Sequence, residues 1–102
     1  MKFEYDGLKF DWDEEKYNIN AEKHGIYFEE AASIFADENA VILPDPEHSY
    51  YEERFRVIGC SDISKMLTVC HCERNENDII RIISAWKATN KEKQIYRTGG
   101  IL

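Results

Sequence analysis

The chain has 102 residues, of which 43% are hydrophobic and 32% are charged, and its formal net charge is −7 at pH 7. This length and composition predict one globular domain with a single core, and they argue against a disordered or fibrous chain. We find no apolar run long enough to cross a bilayer and no apolar secretory segment at the N-terminus, so we expect a cytoplasmic protein with no membrane partner.

The first half of the chain predicts a hairpin followed by two helices. An Asp-Gly pair flanked by aromatic residues predicts a type I′ turn between two strands within residues 3–10. A helix with an acidic N-terminal cap then runs from about residue 12 to His24, and Gly25 ends it in a left-handed conformation. Apolar residues at helical spacing predict a second helix over residues 28–35.

The second half predicts strands joined by short turns and then a last helix. The strands are expected at residues 39–43, 54–60, 66–72 and 78–85. The last of these is apolar on both faces, which predicts a central strand that is covered on both sides. Thr89 is expected to cap a helix that runs to about Tyr96, with Glu92 in the third position of a capping box.

This order of elements predicts an α+β fold. We expect the N-terminal hairpin and the two helices to pack on one face of a twisted antiparallel sheet of three to four further strands, followed by the C-terminal helix. Residues 1–97 would form the single domain and residues 98–102 a short tail.

Charge is distributed unevenly along the chain. Residues 1–53 carry 15 acidic and 4 basic side chains, whereas residues 54–102 carry 5 acidic and 9 basic ones. One interpretation is that an acidic half simply keeps the protein in solution. The other is that the basic half contacts the phosphates of a nucleic acid, which the negative net charge by itself would not predict.

The three cysteines lie in apolar segments that are typical of strands. We interpret Cys60, Cys70 and Cys72 as buried thiols in a reducing compartment. A metal site at residues 70–72 is the alternative, but strand geometry would place His71 on the opposite face from both cysteines, and no second ligand pair follows. We therefore predict no metal and no other cofactor.

Several polar residues of the second half could carry chemistry on RNA. A ribonuclease without a metal needs a base for the 2′-hydroxyl, cations for the phosphorane and an acid for the leaving oxygen. Arg54 and Arg81 lie on strands that could be neighbours, so their guanidinium groups could converge on one phosphate. Alternatively, Arg54 and Arg56 are solvated edge residues beside nearby glutamates, and Arg81 forms a structural salt bridge to Asp78 or to a helix acid.

The other candidates also have structural alternatives. His24 could act as a general base, or it could simply favour the negative end of its helix. Glu92 could be only a capping residue, and Tyr96 only a core residue. Ser84 and Lys87 complete the polar candidates near the last strand.

The ordered set of short segments resembles the BrnT family of toxins, over about residues 3–97. The C-terminal signature is carried by Arg81-Ile82-Ile83-Ser84-Ala85, by Lys87-Ala88-Thr89, and by Glu92 with Tyr96. Further matches are Phe10-Asp11-Trp12-Asp13, Lys23-His24-Gly25-Ile26, Phe28-Glu29-Glu30-Ala31, Phe35-Ala36-Asp37, Glu53-Arg54-Phe55 and Ile58-Gly59.

The resemblance implies the toxin of a type II toxin–antitoxin system, with a RelE-like fold and a metal-independent endoribonuclease activity that inhibits translation. It implies a cognate BrnA-type antitoxin with a ribbon-helix-helix part, through which alone the complex binds operator DNA and represses its own operon. RNA is then the substrate. The candidate catalytic residues are Arg54, Arg81, Ser84, Trp86, Lys87, Glu92, Tyr96 and His24.

The chain departs from the family pattern at one position in this signature. Where the family has Ser-Ala-Arg-Lys-Ala-Thr, this chain has tryptophan at position 86. Tryptophan can stack on a base but supplies no positive charge, so we expect a folded protein with impaired cleavage. The alternative function is a catalytically inactive homologue that serves as an antitoxin-binding co-repressor or a protein-interaction module.

Overall fold

A computed structural model describes residues 2–48, 52–74 and 78–100 of the chain. The strands are β1 (Lys2–Tyr5), β2 (Leu8–Asp11), β3 (Val41–Pro44), β4 (Arg54–Cys60), β5 (Met66–Arg74) and β6 (Ile79–Lys87). The helices are α1 (Glu14–His24), α2 (Phe28–Ser33) and α3 (Asn90–Arg97), with 3₁₀ turns at Ile34–Ala36 and Pro46–His48. No helix in these three ranges is long and apolar enough to span a bilayer.

The six strands form one mixed sheet in the order β1-β2-β6-β5-β4-β3. The expectation of a purely antiparallel sheet with the hairpin packed on it is wrong, because the hairpin is part of the sheet. Its second strand runs parallel to β6, with Lys9 opposite Ile79 and Asp11 opposite Arg81. Hairpin turn chemistry predicts only the local pairing, whereas this pairing joins segments about 70 residues apart in sequence.

The helices lie on both faces of the sheet, not on one face as expected. Val57 packs with Phe28 and other residues of α1 and α2, whereas its neighbour Ile58 packs with Ile95 of α3. Successive strand residues point to opposite faces, so α3 covers the face opposite α1 and α2. We call the side that carries α1 and α2 the covered face, and the side that carries α3 the open face.

The predicted ends of α1 are confirmed by its capping. The Asp13 side chain accepts hydrogen bonds from the backbone N–H groups of Glu15 and Lys16. Gly25 ends the helix with φ of 69°, a conformation that glycine adopts without strain. The second helix is shorter than predicted because its last turn tightens into the 3₁₀ turn that follows Ser33.

Strand β6 contains an irregularity that sets which residues reach the site. Cys70 of β5 lies opposite Ser84, but the next residue, His71, lies opposite Ile82, so Ile83 has no partner in this register. The bulge lets Ile82 and Ala85 both point into the core although they are three residues apart. The strand is interior, as predicted, but α1 and α2 cover only one of its faces.

Candidate functional site

The open face brings several of the predicted residues together in rows across β4, β5 and β6. Arg54 and Arg81 both lie opposite Cys72, Arg56 and Ser84 both lie opposite Cys70, and Ile58 and Trp86 both lie opposite Thr68. The arginines, Ser84 and Trp86 of these rows are partly exposed, whereas Thr68 and both cysteines between them on β5 are buried. The candidate site is this set of polar residues: Arg54, Arg56, Arg81, Ser84 and Trp86.

Glu92 of α3 connects two strands of the site through its carboxylate. Oε1 accepts hydrogen bonds from the backbone N–H of Thr89 at 2.9 Å and from Nε1 of Trp86 at 3.2 Å. Oε2 lies 3.4 Å from Nη1 of Arg56. Glu92 is only 6% exposed, so these partners compensate the cost of burying its charge. The predicted capping box is confirmed, and the same side chain also fixes the site.

Arg54 and Arg81 are not on neighbouring strands, contrary to the expectation from the sequence, since β5 lies between them. Their backbones are therefore separated by two strand spacings, roughly 9–10 Å. Nη1 of Arg81 lies 3.3 Å from Oδ1 of Asp11 on β2, on the side away from Arg54. The predicted partners of Arg81, Asp78 or a helix acid, are therefore wrong, because the parallel pairing of β2 with β6 supplies Asp11 instead.

The expectation that Arg54 and Arg56 lie on an edge strand is wrong. Strand β4 is interior, with β3 on one side and β5 on the other. Arg56 forms its ion pair with Glu92, not with a glutamate near it in sequence. An arginine paired with a buried carboxylate is more restricted in position than a solvated one.

His24 lies at the border of the open face. Its ring centroid is 6.4 Å from that of Trp86. It also lines a pocket of 150 Å³ between the end of α1 and β6, together with Lys16, Lys23 and Ser84. The structure thus places an imidazole and two ammonium groups beside the polar residues of β6.

Asn20 fixes the backbone between Ser84 and Trp86. Its side chain is buried, and Oδ1 accepts a hydrogen bond from the N–H of Ala85 while Nδ2 donates to the carbonyl of Ala85. Nδ2 also donates to the carbonyl of Ile26. Strand β2 has already ended at this level, so the amide satisfies backbone groups that a neighbouring strand would otherwise bond.

Tyr96 and Lys87 lie apart from the row of site residues. The Tyr96 hydroxyl donates a 2.7 Å hydrogen bond to Asp37, which together with burial raises its pKa to about 12. Burial raises the pKa of Asp37, but hydrogen bonds from Tyr96 and from the backbone N–H of Cys60 outweigh it, and the net pKa is lowered. Lys87 is exposed and follows Trp86 in the strand, so it points to the other face.

His71 packs inside the core, as the strand pattern predicted. It contacts the rings of Phe35 and Phe55 and is 1% exposed. Burial lowers the pKa of His71 to about 4. Within the described ranges, all three cysteines are free and no three His, Cys, Asp or Glu side chains are grouped as metal ligands.

Comparison with known protein families places the chain in a family. The model of the "Ribonuclease toxin, BrnT, of type II toxin-antitoxin system" matches residues 12–92. The chain belongs to the BrnT family. Among solved structures, the ribonuclease toxin BrnT of Brucella abortus is similar in fold, with a TM-score of 0.62 and 22% identity over 79% of this chain and 96% of that one. No curated protein matches the chain.

The sequence did not reveal two residues that shape the site. Asp11 is typical of a helix cap by its place in the sequence, and its ion pair with Arg81 depends on a strand pairing that no local pattern shows. Asn20 carries no motif. No local signal separates it from Asn18, which is exposed on the same helix, because only the packed fold shows which of the two amides is buried.

Proposed function

We propose that the chain is an endoribonuclease that binds single-stranded RNA on its open face and inhibits translation by cleaving it without a metal ion. The observation that carries this proposal is the presence of Arg54, Arg56, Arg81 and Trp86 on one face of three adjacent strands. Cations attract backbone phosphates, and an aromatic ring gives a base a surface for stacking. Membership of a family of ribonuclease toxins supports RNA as the substrate.

Cleavage would begin with attack of a 2′-hydroxyl oxygen on the adjacent phosphorus, which forms a cyclic phosphate and releases the 5′-oxygen. One group must take the proton of the hydroxyl and another must supply a proton to the leaving oxygen. We assign His24 to one of these transfers, because an imidazole has one ring nitrogen that can accept a proton and another that can donate one, and its ring lies at the border of the open face. Arg54 and Arg81 would stabilise the charge on the phosphorane oxygens.

Glu92 has a positioning role in this proposal. Both of its carboxylate oxygens already accept contacts, from Thr89, Trp86 and Arg56. These contacts engage both oxygens in holding neighbouring groups, so we assign no proton transfer to this side chain. Its position instead holds an arginine and the ring of residue 86 at fixed places on the open face.

We further propose that Trp86 strongly impairs catalysis in this chain. Its indole nitrogen donates to Glu92, so it keeps the link between β6 and α3 without a positive charge. An arginine at this position would donate to the same carboxylate and still present further N–H groups and its charge to a phosphate. In this proposal the chain still folds and still binds its antitoxin.

The partner in this proposal is a BrnA-type antitoxin that covers the open face. It would bury β4 or α3, carry the ribbon-helix-helix part that binds operator DNA, and form the complex that represses the operon. A RelE-like relationship of the fold and a cytoplasmic location are part of the same proposal. An antitoxin that blocks toxicity while β4 and α3 stay open to solvent would contradict direct masking.

Incubation of purified protein with labelled RNA in the presence of EDTA tests the activity. We expect slow cleavage that produces cyclic phosphate ends and that stops when the antitoxin is added, which excludes a contaminating nuclease. A Trp86→Arg form that also leaves RNA intact in EDTA would contradict the proposed activity.

Trp86 also favours a second candidate function, that of a co-repressor without catalysis. In this case the chain and its Trp86→Arg form would both bind antitoxin and strengthen operator binding, and neither would cleave RNA. A mobility-shift assay with operator DNA, run beside the cleavage assay, separates the two functions.

A further inference from the structure

A pocket beside Trp86 lies between the open face and the segment that follows β3. It has a volume of 230 Å³ and is lined by Pro44, Asp45, Pro46, Glu47, Arg56 and Trp86. Two prolines restrict the backbone of its wall, because each fixes its own φ angle. The pocket therefore combines a restricted backbone segment with the ring of Trp86, the guanidinium group of Arg56 and the two carboxylates of Asp45 and Glu47.

The polar groups of this pocket suit the edge of a base better than a phosphate. Asp45 and Glu47 place two carboxylates in the lining, and carboxylates repel a phosphate but accept hydrogen bonds from N–H groups. Arg56 carries only donors, so it matches an acceptor on the ligand. The ring of Trp86 provides the apolar surface on which a base can stack.

Guanine is the RNA base that presents both patterns on one edge. Its N1–H and N2–H groups are adjacent donors, which a carboxylate accepts together, and its O6 acceptor lies beside them. Adenine presents a donor in place of O6, which would oppose Arg56. Cytosine and uracil each lack the adjacent pair of donors. The exposed side chain of Glu47 is the carboxylate that a ligand would reach most directly, since Asp45 is 6% exposed.

We infer that this pocket is a guanine-selective base site, with Trp86 stacking on the ring, the carboxylate of Glu47 accepting from N1–H and N2–H, and Arg56 donating to O6. The inference rests on the proposed function, because the guanine would belong to an RNA bound on the open face. Cleavage would then occur next to guanine, since the pocket adjoins the residues assigned to the phosphate.

The test is the affinity of the full-length chain for four fluorescent pentanucleotides. Each probe is 2′-O-methylated, which removes the nucleophile, and has uridines flanking a central guanine, adenine, cytosine or uridine. We expect the guanine probe to bind about tenfold more tightly than the others, as for a paired hydrogen-bond contact to one base. Equal affinity for all four probes would overturn the base site and leave RNA binding intact. Binding of none of the probes would overturn the proposed function together with the site.

Two variants connect the preference to the pocket. Glu47→Gln should remove most of the preference for guanine and leave the affinity for the adenine probe almost unchanged. Glu38→Gln removes the same charge from an exposed residue outside the pocket lining and should keep the preference. A guanine preference that survives Glu47→Gln unchanged would overturn the role of this carboxylate.

Discussion

The two faces of the sheet are built from the same strands but differ in composition: one is apolar and buried, and the other carries charged and polar side chains. On the covered face, Phe10, Val57, Val69 and Ile82 are at most 1% exposed and pack against α1 and α2. Among the residues that the structure describes, the apolar cluster of the open face lies under α3, and arginines, a serine and a tryptophan extend beyond it. Burial of apolar surface explains the first face, whereas on the second face Arg56 and Arg81 are compensated by ion pairs with Glu92 and Asp11.

The largest effect that would sharpen this comparison is expected from Trp86→Arg. The change adds a cation to the open face at position 86, where the tryptophan side chain already donates a hydrogen bond to Glu92. We expect RNA cleavage to increase on the order of 10²–10³-fold, because a cation beside the phosphorane stabilises the transition state by that factor. Trp86→Phe keeps an aromatic ring without charge and serves as the control that should not raise the rate. Equal antitoxin-sensitive rates in all three proteins would separate position 86 from catalysis.

Asn20→Ala tests whether the hydrogen bonds from α1 to the backbone of Ala85 hold β6 in place. The change leaves the N–H and carbonyl of Ala85 without their side-chain partner in a buried place. We expect the free energy of unfolding in urea to fall by about 3 kcal/mol, because unpaired buried polar groups cost 1–3 kcal/mol each. Asn18→Ala, at an exposed position of the same helix, should change it little. Similar losses in both variants would show that helix propensity, not the contact, is responsible.

The buried imidazole of His71 should make the stability of the fold depend on pH. Its pKa is about 4 in the folded chain and 6.5 ordinarily, so the unfolded chain binds the proton more strongly. Stability should therefore fall as the pH falls from about 6.5 to 4, by up to about 3 kcal/mol from this residue. His71→Phe should flatten this part of the pH profile, measured by urea unfolding at pH 7, 5.5 and 4.5. An equally steep profile in the variant would assign the acid sensitivity to other groups.

The smallest expected effect is the loss of RNA affinity on removal of a single arginine from the open face. Arg54→Ala and Arg81→Ala should each weaken RNA binding and reduce the slope of log affinity against log salt by about one unit. Lys65→Ala removes a cation from the exposed turn between β4 and β5 and should leave the slope unchanged. Unchanged slopes in both arginine variants would mean that RNA binds elsewhere.

The sequence predicted the elements whose signals are local. The caps of α1, the bounds of β4 and the capping box at Thr89 follow from residues within a few positions of one another. The parallel pairing of β2 with β6 was missed because it depends on packing between distant segments. The bulge at Ile83 was missed for a similar reason, since an apolar run does not show where the register shifts.

For the site, the sequence named most of the residues but not their arrangement. Trp86 and Ser84 share a face, as strand alternation predicts. The ion pair of Arg81 with Asp11 and the link from Arg56 to Glu92 could not be predicted, because both join segments more than 30 residues apart. The assigned catalytic roles remain predictions.

Photo-crosslinking of bound RNA tests most directly whether the open face is the RNA-binding surface. A 2′-O-methylated oligonucleotide containing 4-thiouridine would be crosslinked to the chain, and the attached peptides identified by mass spectrometry. We predict attachment at Trp86 and on neighbouring residues of β4 and β6. Crosslinks concentrated instead on Tyr17 and Tyr27, aromatic residues of the helical layer over the covered face, would contradict the account.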